Sequence, residues 1–437
     1  MARPRTRIPL SVYLNGRLVG RLQRETSGAI NFQYDATWLA WESALPVSLS
    51  LPLREDRYIG DPVIAVFDNL LPDNDEIRRS LAERVQAKGF DAYSLLAAIG
   101  RDCVGALQFL PDGVEPGPAG AVSGRPIDDA EIVRIVADLK RNPLGVTEDD
   151  EFRISLAGAQ EKTALLYWKD QWHLPHGTAA TTHILKPEIG NRPNGLDLSQ
   201  SVENEHLCMK LTAALGLPTA GTEIRDFAGR RVLVVERFDR RWTRDRRLLR
   251  LPQEDCCQAL SVPPPRKYES DGGPGIREVL ALLRASDEPE ADQRLFLKAQ
   301  IVFWLLAATD GHAKNFSIHL LPGGRFRLTP LYDVMSAQPN HDAGQIQKNK
   351  MKLAMAVGKN RHYVIDSIMP RHFVQTAKTC GVSPAVVIGI FDELNATGPA
   401  ATARVLSGLP PGFPEELTRS ITEGVLKRLK LSEHAIA

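Results

Sequence analysis

The most visible shortage in this chain of 437 residues is of long apolar runs. The longest, Ile301–Ala308, is too short to span a bilayer. The start Met1-Ala2-Arg3-Pro4-Arg5 is basic, but Pro9 and Ser11 break the apolar residues between Ile8 and Leu14, so no signal-peptide core follows. Cysteine is scarce and scattered. Cys103, Cys208, Cys256, Cys257 and Cys380 form no Cys-x-x-Cys pair, which argues against a disulfide framework and for reduced thiols in a cytosol. No histidine spacing suggests zinc. Charge of one sign is not in excess either. A net charge of +1 argues against a surface dedicated to nucleic acid. No Walker A loop, helix-turn-helix or internal repeat is found. These absences lead us to expect a cytoplasmic protein that contacts no membrane.

The length is enough for about two to three domains. Ser11–Val19 reads as a hairpin, because Asn15-Gly16 supplies the two positive-φ positions of a type I′ turn. Asp73-Asn74-Asp75 offers helix caps before Ile77, Leu81 and Val85. Residues 1–110 therefore form an expected α/β unit. Pro111–Pro126 holds four prolines and four glycines and reads as a linker. It precedes an amphipathic helix with Ile132, Val133, Ile135, Val136 and Leu139 on its stripe. From Ile276 onward helical periodicity dominates, with stripes through Val279 and Leu283, then Leu295, Ala299, Val302 and Leu306. The expected architecture is α+β and two-lobed, in the manner of a kinase. It comprises an N-terminal α/β part, a β-rich nucleotide-binding lobe over 111–247, and an all-helical lobe over 248–437.

Chemistry concentrates at Thr309-Asp-Gly-His-Ala-Lys-Asn315. Asp310, with Asn315 five residues later and Asp333 after the next hairpin, is a phosphoryl-transfer layout. One carboxylate can orient a hydroxyl, while the amide and second carboxylate can hold Mg²⁺ on a nucleotide. Asp-Gly is also ordinary turn chemistry. Phe152–Thr163 reads as strand, tight glycine turn, strand. Its small residues let backbone N–H groups approach phosphate, and Lys162 can add charge, although a plain hairpin has the same pattern. Lys186 ends a β-like run, as a phosphate-pairing lysine does, or as a solvated edge lysine does. In the next helix Glu203 shares the stripe of Leu207 and Leu211 and is the better candidate partner for Lys186, while Glu205 is expected to point away. At Arg231–Arg240, backbone near Glu236 and Phe238 is placed to meet an adenine.

Taken together these motifs resemble the HipA family, the serine/threonine-kinase toxins of bacterial toxin–antitoxin modules. The resemblance is carried by Ile154–Thr163, His183–Lys186, Ser201–Glu205, Glu236–Arg240, Gln253–Asp255, Lys267–Gly275, Thr309–Phe316 and Leu328–Asp333. It extends from the N-terminal hairpin, through Phe67–Pro72, to Pro370–Phe373. It implies ATP and Mg²⁺ as cofactors, with Asp310 as base, His312 beside it, and Asn315 and Asp333 as metal ligands. It implies that Ala157, Gly158, Ala159, Gln160, Glu161 and Lys162 cover the phosphates. Lys186 would pair with the α/β-phosphates, and Glu236, Arg237 and Phe238 would form the adenine hinge. It further implies autophosphorylation of Ser155, a HipB-like helix-turn-helix antitoxin dimer as partner, and operator DNA bound mainly through that partner. The founding member's substrate is glutamyl-tRNA synthetase, whose inactivation leads to persistence. Residues 338–350 are where a substrate-facing loop would vary. Two other readings fit parts of the pattern: a small-molecule kinase of the aminoglycoside type, and a non-catalytic nucleotide-binding corepressor.

Overall fold

A computed structural model describes residues 9–145, 154–158 and 160–433. The Asn15-Gly16 turn forms as its sequence predicts, with φ of 46° and 84°. It joins Leu10–Leu14 to Arg17–Arg24 in an antiparallel sheet of five strands, whose other members are Ile30–Tyr34, Tyr58–Ile59 and Leu107–Pro111. Helices Asp61–Asp68, Asp75–Arg84 and Ala92–Ile99 accompany it. Phe32, Phe67 and Phe109 stack edge-on or tilted between sheet and helices. Asn74 caps its helix as expected, its Oδ1 accepting from the N–H groups of Glu76 and Ile77.

The second sheet has six antiparallel strands. Their order is Thr222–Phe227, Arg230–Glu236, His183–Pro187, Thr163–Trp168, Gln171–Pro175 and Gly124–Ile127. Helix Ser201–Ala214 lies between this sheet and the last lobe. That lobe is built on helices Ile276–Leu283, Pro289–Leu306, Pro370–Thr379, Pro384–Ser407 and Glu415–Glu433. It is helical in the main and also holds two small sheets. One pairs Gln253–Asp255, Ser317–Leu321 and Arg325–Leu328; the other is the hairpin Lys352–Val357 with His362–Val364. Within residues 251–258, which carry no clear periodicity, Gln253–Asp255 becomes a strand because it adds to the edge of a hairpin remote in sequence, and Cys256–Ala259 follows as a short helix.

One expectation fails locally. Among the described residues no strand precedes the turn at Gly158: Ile154 and Gly158 instead make single parallel bridges to Asp102 and Pro72 of the N-terminal unit. The alternation of Ile154 and Leu156 serves burial under that unit rather than a hairpin. Phe152, Arg153 and Ala159 lie outside the described residues. No helix among the described residues is long and apolar enough to cross a membrane.

Candidate active site

A cleft of about 300 Å³ opens between the six-stranded sheet and the helical lobe. Helix Pro289–Leu306 is buried on nearly every side over its last three turns and ends at Ala307, whose φ of 51° turns the chain into the loop that carries Asp310. Inside this loop Asn315 donates from Nδ2 to the Asp310 carbonyl at 2.7 Å, leaving its Oδ1 as an acceptor. The Lys314 ammonium is buried and reaches back to Asn69, at 2.7 Å from its Oδ1 and 3.0 Å from its carbonyl. It also stands 3.3 Å from Asp73 and 3.5 Å from Asp255. The Tyr332 hydroxyl donates to the Lys314 carbonyl at 2.8 Å, which brings the next residue, Asp333, to the same cleft. Asp333 holds φ 61°, a conformation that short polar side chains tolerate.

Asp310 differs from its neighbours in being open. Its side chain is 60% exposed, and the Tyr268 hydroxyl donates to its Oδ1. His312 is buried with Nε2 at 3.8 Å from that oxygen. Burial lowers the His312 pKa despite the pull of Asp310, so the ring is neutral at pH 7.

The roof of the cleft supplies cations. Lys186 is buried and bonds Glu205 and Asp333, each at 2.8 Å. Burial works against its charge, but the two carboxylates prevail and raise its pKa, so it stays an ammonium. Asp333 is treated alike: burial would raise its pKa, and Lys186 and Lys162 pull it well below the usual carboxylate range. Among the described residues Lys162 has no anion so close. Burial first and Lys186 second push its pKa down to about 8. Gly158 takes φ 99°, a conformation that L side chains rarely adopt, and a Cβ there would stand 2.7 Å from the Lys162 ammonium, so a larger residue would strain the turn and displace the lysine's end.

The other candidate residues fall as follows. Ala157, Gly158 and Gln160 border the cleft, Glu161 borders a neighbouring one, and Ala159 lies outside the described residues. Glu236 and Phe238 border the cleft at its far wall, where Phe238 packs against Tyr332 at 5.8 Å between ring centroids. Arg237 lies between them, but its guanidinium is spent elsewhere, on Asp239 and Asp102, and its N–H on the Thr182 carbonyl. Arg237 too borders the cleft. Ser155 is fully buried, its hydroxyl donating to the Leu70 carbonyl at 2.7 Å.

The partner of Lys186 is Glu205, not Glu203. Glu203 pairs instead with Arg231 at 2.6 Å. The stripe argument fails because residues 201–209 are buried all round, so both glutamates face inward, in different directions. Substituting Glu205 by Gln removes a charged hydrogen bond of about 1.5–3 kcal/mol. Phosphoryl transfer is expected to slow roughly tenfold to a hundredfold, while Glu203→Gln, whose arginine is half exposed, changes it no more than a few-fold. Steady-state rates of the two variants check this. Asp73, Lys267 and Tyr268 also escaped sequence reasoning. Lys267 and Tyr268 belong to a recognised motif, but only the fold sets Lys267 at 2.8 Å from Asp73.

A β-rich lobe with a carboxylate-paired lysine, facing a helical lobe that presents Asp-x₄-Asn and a later Asp, defines the class as kinase-like. The chain belongs to the HipA family: residues 10–110 match the HipA N-terminal domain and residues 154–401 the HipA-like C-terminal domain. It is 38% identical over 402 residues to the putative kinase Y4mE of Sinorhizobium fredii, covering 91% of each chain. It is 28% identical over 417 residues to the serine/threonine-protein kinase toxin HipA of Shewanella oneidensis, covering 92% of this chain and 90% of that one. A solved complex of Shewanella oneidensis HipA and HipB with operator DNA superposes with a TM-score of 0.81 at 26% identity, over 97% of both chains. With such relatives the chain is a kinase.

Proposed function

We propose that this kinase transfers the γ-phosphoryl group of ATP to serine or threonine hydroxyls of a protein, and that it acts as the growth-arresting toxin of a toxin–antitoxin pair. The observation that carries the reading is Lys186, bonded at once to Glu205 in the sheet-side helix and to Asp333 in the helical lobe. The cleft suits a nucleotide triphosphate: two lysines, one underprovided with anions, face the carboxylate of Asp333 and the amide of Asn315. Among the described residues no group of three or more His, Cys, Asp or Glu could hold a metal alone. One carboxylate and one amide match an ion such as Mg²⁺ that brings phosphate and water as its other ligands. Bound Mg·ATP supplies the transferable phosphoryl group and offsets its own charge with the ion. Lys162 and Lys186 offset the rest, the backbone at Glu236 and Phe238 positions the base, and the open Asp310 carboxylate orients an acceptor hydroxyl and takes its proton. Ser155 is an intramolecular acceptor, reached only once its bond to Leu70 is given up.

The kinase works in the cytoplasm. Its partner is a HipB-like helix-turn-helix dimer, through which it meets operator DNA as a corepressor, and its substrate is glutamyl-tRNA synthetase, whose loss promotes persistence. The Shewanella complex and the all-thiol, buried cysteines support this assignment. The N-terminal α/β unit, the β-rich lobe and the helical lobe are its three working parts. Incubation with γ-labelled ATP tests the reading: label on that synthetase or on Ser155 is expected, and label confined to a small alcohol, or none, overturns it.

Nucleotide binding is also expected to take up a proton above pH 8. Lys162 faces Lys186, Asp333, Asp73 and Glu205, and its pKa of about 8 leaves it partly neutral there. A bound triphosphate favours the charged form, so affinity weakens as pH rises past 8. Calorimetric titration in two buffers of different ionisation enthalpy reads the uptake directly.

A further inference from the structure

The segment Lys267–Gly275 lies outside the expected catalytic groups, yet it delivers the sole side-chain hydrogen bond that Asp310 receives among the described residues. We infer that Tyr268 is a positioning residue for phosphoryl transfer: its hydroxyl locks the Asp310 carboxylate in one orientation, with Oδ1 occupied and Oδ2 turned to the acceptor hydroxyl. This rests on the assignment of Asp310 as the base.

The geometry favours a fixed brace over a plug in the acceptor's place. Both neighbours of the carboxylate address the same oxygen, Tyr268 by its hydroxyl and His312 by Nε2 at 3.8 Å. No hydrogen bond reaches Oδ2 from the described residues, and the side chain is 60% exposed, so that oxygen is open to a protein substrate. A carboxylate so exposed would otherwise sample several rotamers, and each ordered torsion carries an entropy cost that the hydrogen bond offsets. Tyr268 is itself held. Its ring meets that of His312 edge-on, 4.8 Å between centroids, and its carbonyl accepts from the N–H groups of Asp271 and Gly273 at 3.0 and 2.9 Å. The next residue, Glu269, is pinned by Arg361 at 3.0 Å and by the Ala356 N–H. On its other side Lys267 is bound to Asp73. A segment anchored on both flanks is poorly suited to swing away. Burial and the Asp310 charge keep the phenol protonated, so it remains a donor.

The test is Tyr268→Phe, which keeps the ring and removes only the hydroxyl. The expected result is a kcat lowered roughly tenfold to a hundredfold, as loss of one charged hydrogen bond dictates, with ATP affinity and melting temperature unchanged. In an Asp310→Ala background the same change should cost nothing further, since the two act as a unit. Unchanged or raised turnover in Tyr268→Phe overturns the inference, the latter identifying the tyrosine as an occluding group. A loss shared equally by turnover, ATP affinity and melting temperature overturns it too, as the mark of a merely structural role. The two assignments fail separately: an active Asp310→Ala enzyme removes the base itself, whereas a dead Asp310→Ala enzyme beside an unimpaired Tyr268→Phe removes only the brace.

Discussion

Asp310→Asn is expected to lower kcat for protein phosphorylation by roughly 10²–10⁴-fold, the range for a positioned acid or base, and to abolish growth arrest on expression. ATP binding should persist. The reasons lie in how the loop is divided. Asn315 grips the Asp310 backbone carbonyl, not its carboxylate, so the loop keeps its shape when the side chain becomes an amide. The side chain is mostly exposed and, among the described residues, makes no ion pair with a lysine or arginine, so the fold does not depend on its charge. The amide still accepts from Tyr268 at one end but presents a weak base or an NH₂ group to the acceptor hydroxyl at the other. A large fall in kcat with unaltered nucleotide affinity is the signature of a group that acts only in the transition state. Steady-state kinetics with nucleotide titration of the same preparation checks it; unchanged turnover would reduce the site to a nucleotide-binding one.

What could be read in advance was what neighbouring residues state together. Asn15-Gly16 spells its own turn, Asn74 its own cap, and Asp310, Asn315 and Asp333 sit at spacings set by one loop and one hairpin. Lys186 declared itself by ending a strand. Pairings between distant segments were illegible. Glu205 was passed over because periodicity assumes one buried face, and this helix has neighbours on all sides over its first nine residues. Asp73 stands some 190 and 240 positions from Lys267 and Lys314, and no local pattern announces that an N-terminal unit will insert a carboxylate between two cleft lysines. The segment around Ser155 misled for a related reason. Its alternating apolar residues have strand periodicity, but their burial partner is another unit rather than a neighbouring strand.

The same insertion of one unit into another governs stability, and Asp102→Ala is expected to destabilise the folded chain by about 3–5 kcal/mol, the cost of breaking a buried ion pair. Asp102 belongs to the N-terminal unit and is almost fully buried. Around it stand Arg240 at 2.8 Å, Arg250 at 2.9 Å and Arg237 at 3.3 Å, with Thr181 donating to the same carboxylate. Asp239 is the second anion of the group, bonded to Arg237 at 2.8 Å. Three buried guanidiniums against two carboxylates already leave one excess positive charge, and the substitution leaves two. Asp102→Asn keeps the volume and one acceptor for Thr181, so it should recover only the packing part of the loss. The pH dependence follows from the sign of the shift. Burial alone would raise the Asp102 pKa, but Arg240, Arg250 and Arg237 hold it far below the usual carboxylate range. A carboxyl depressed by folding contributes its full stability above its unfolded value, about 3.9, and loses it as pH falls further. The gap between wild type and Asp102→Ala in urea midpoint should therefore stay constant from pH 8 to 5 and narrow only below about pH 4. Because Arg237 lies between Glu236 and Phe238, the residues proposed to meet the adenine, the variant should bind ATP more weakly even where it remains folded, which would couple the N-terminal unit to the nucleotide through Asp102.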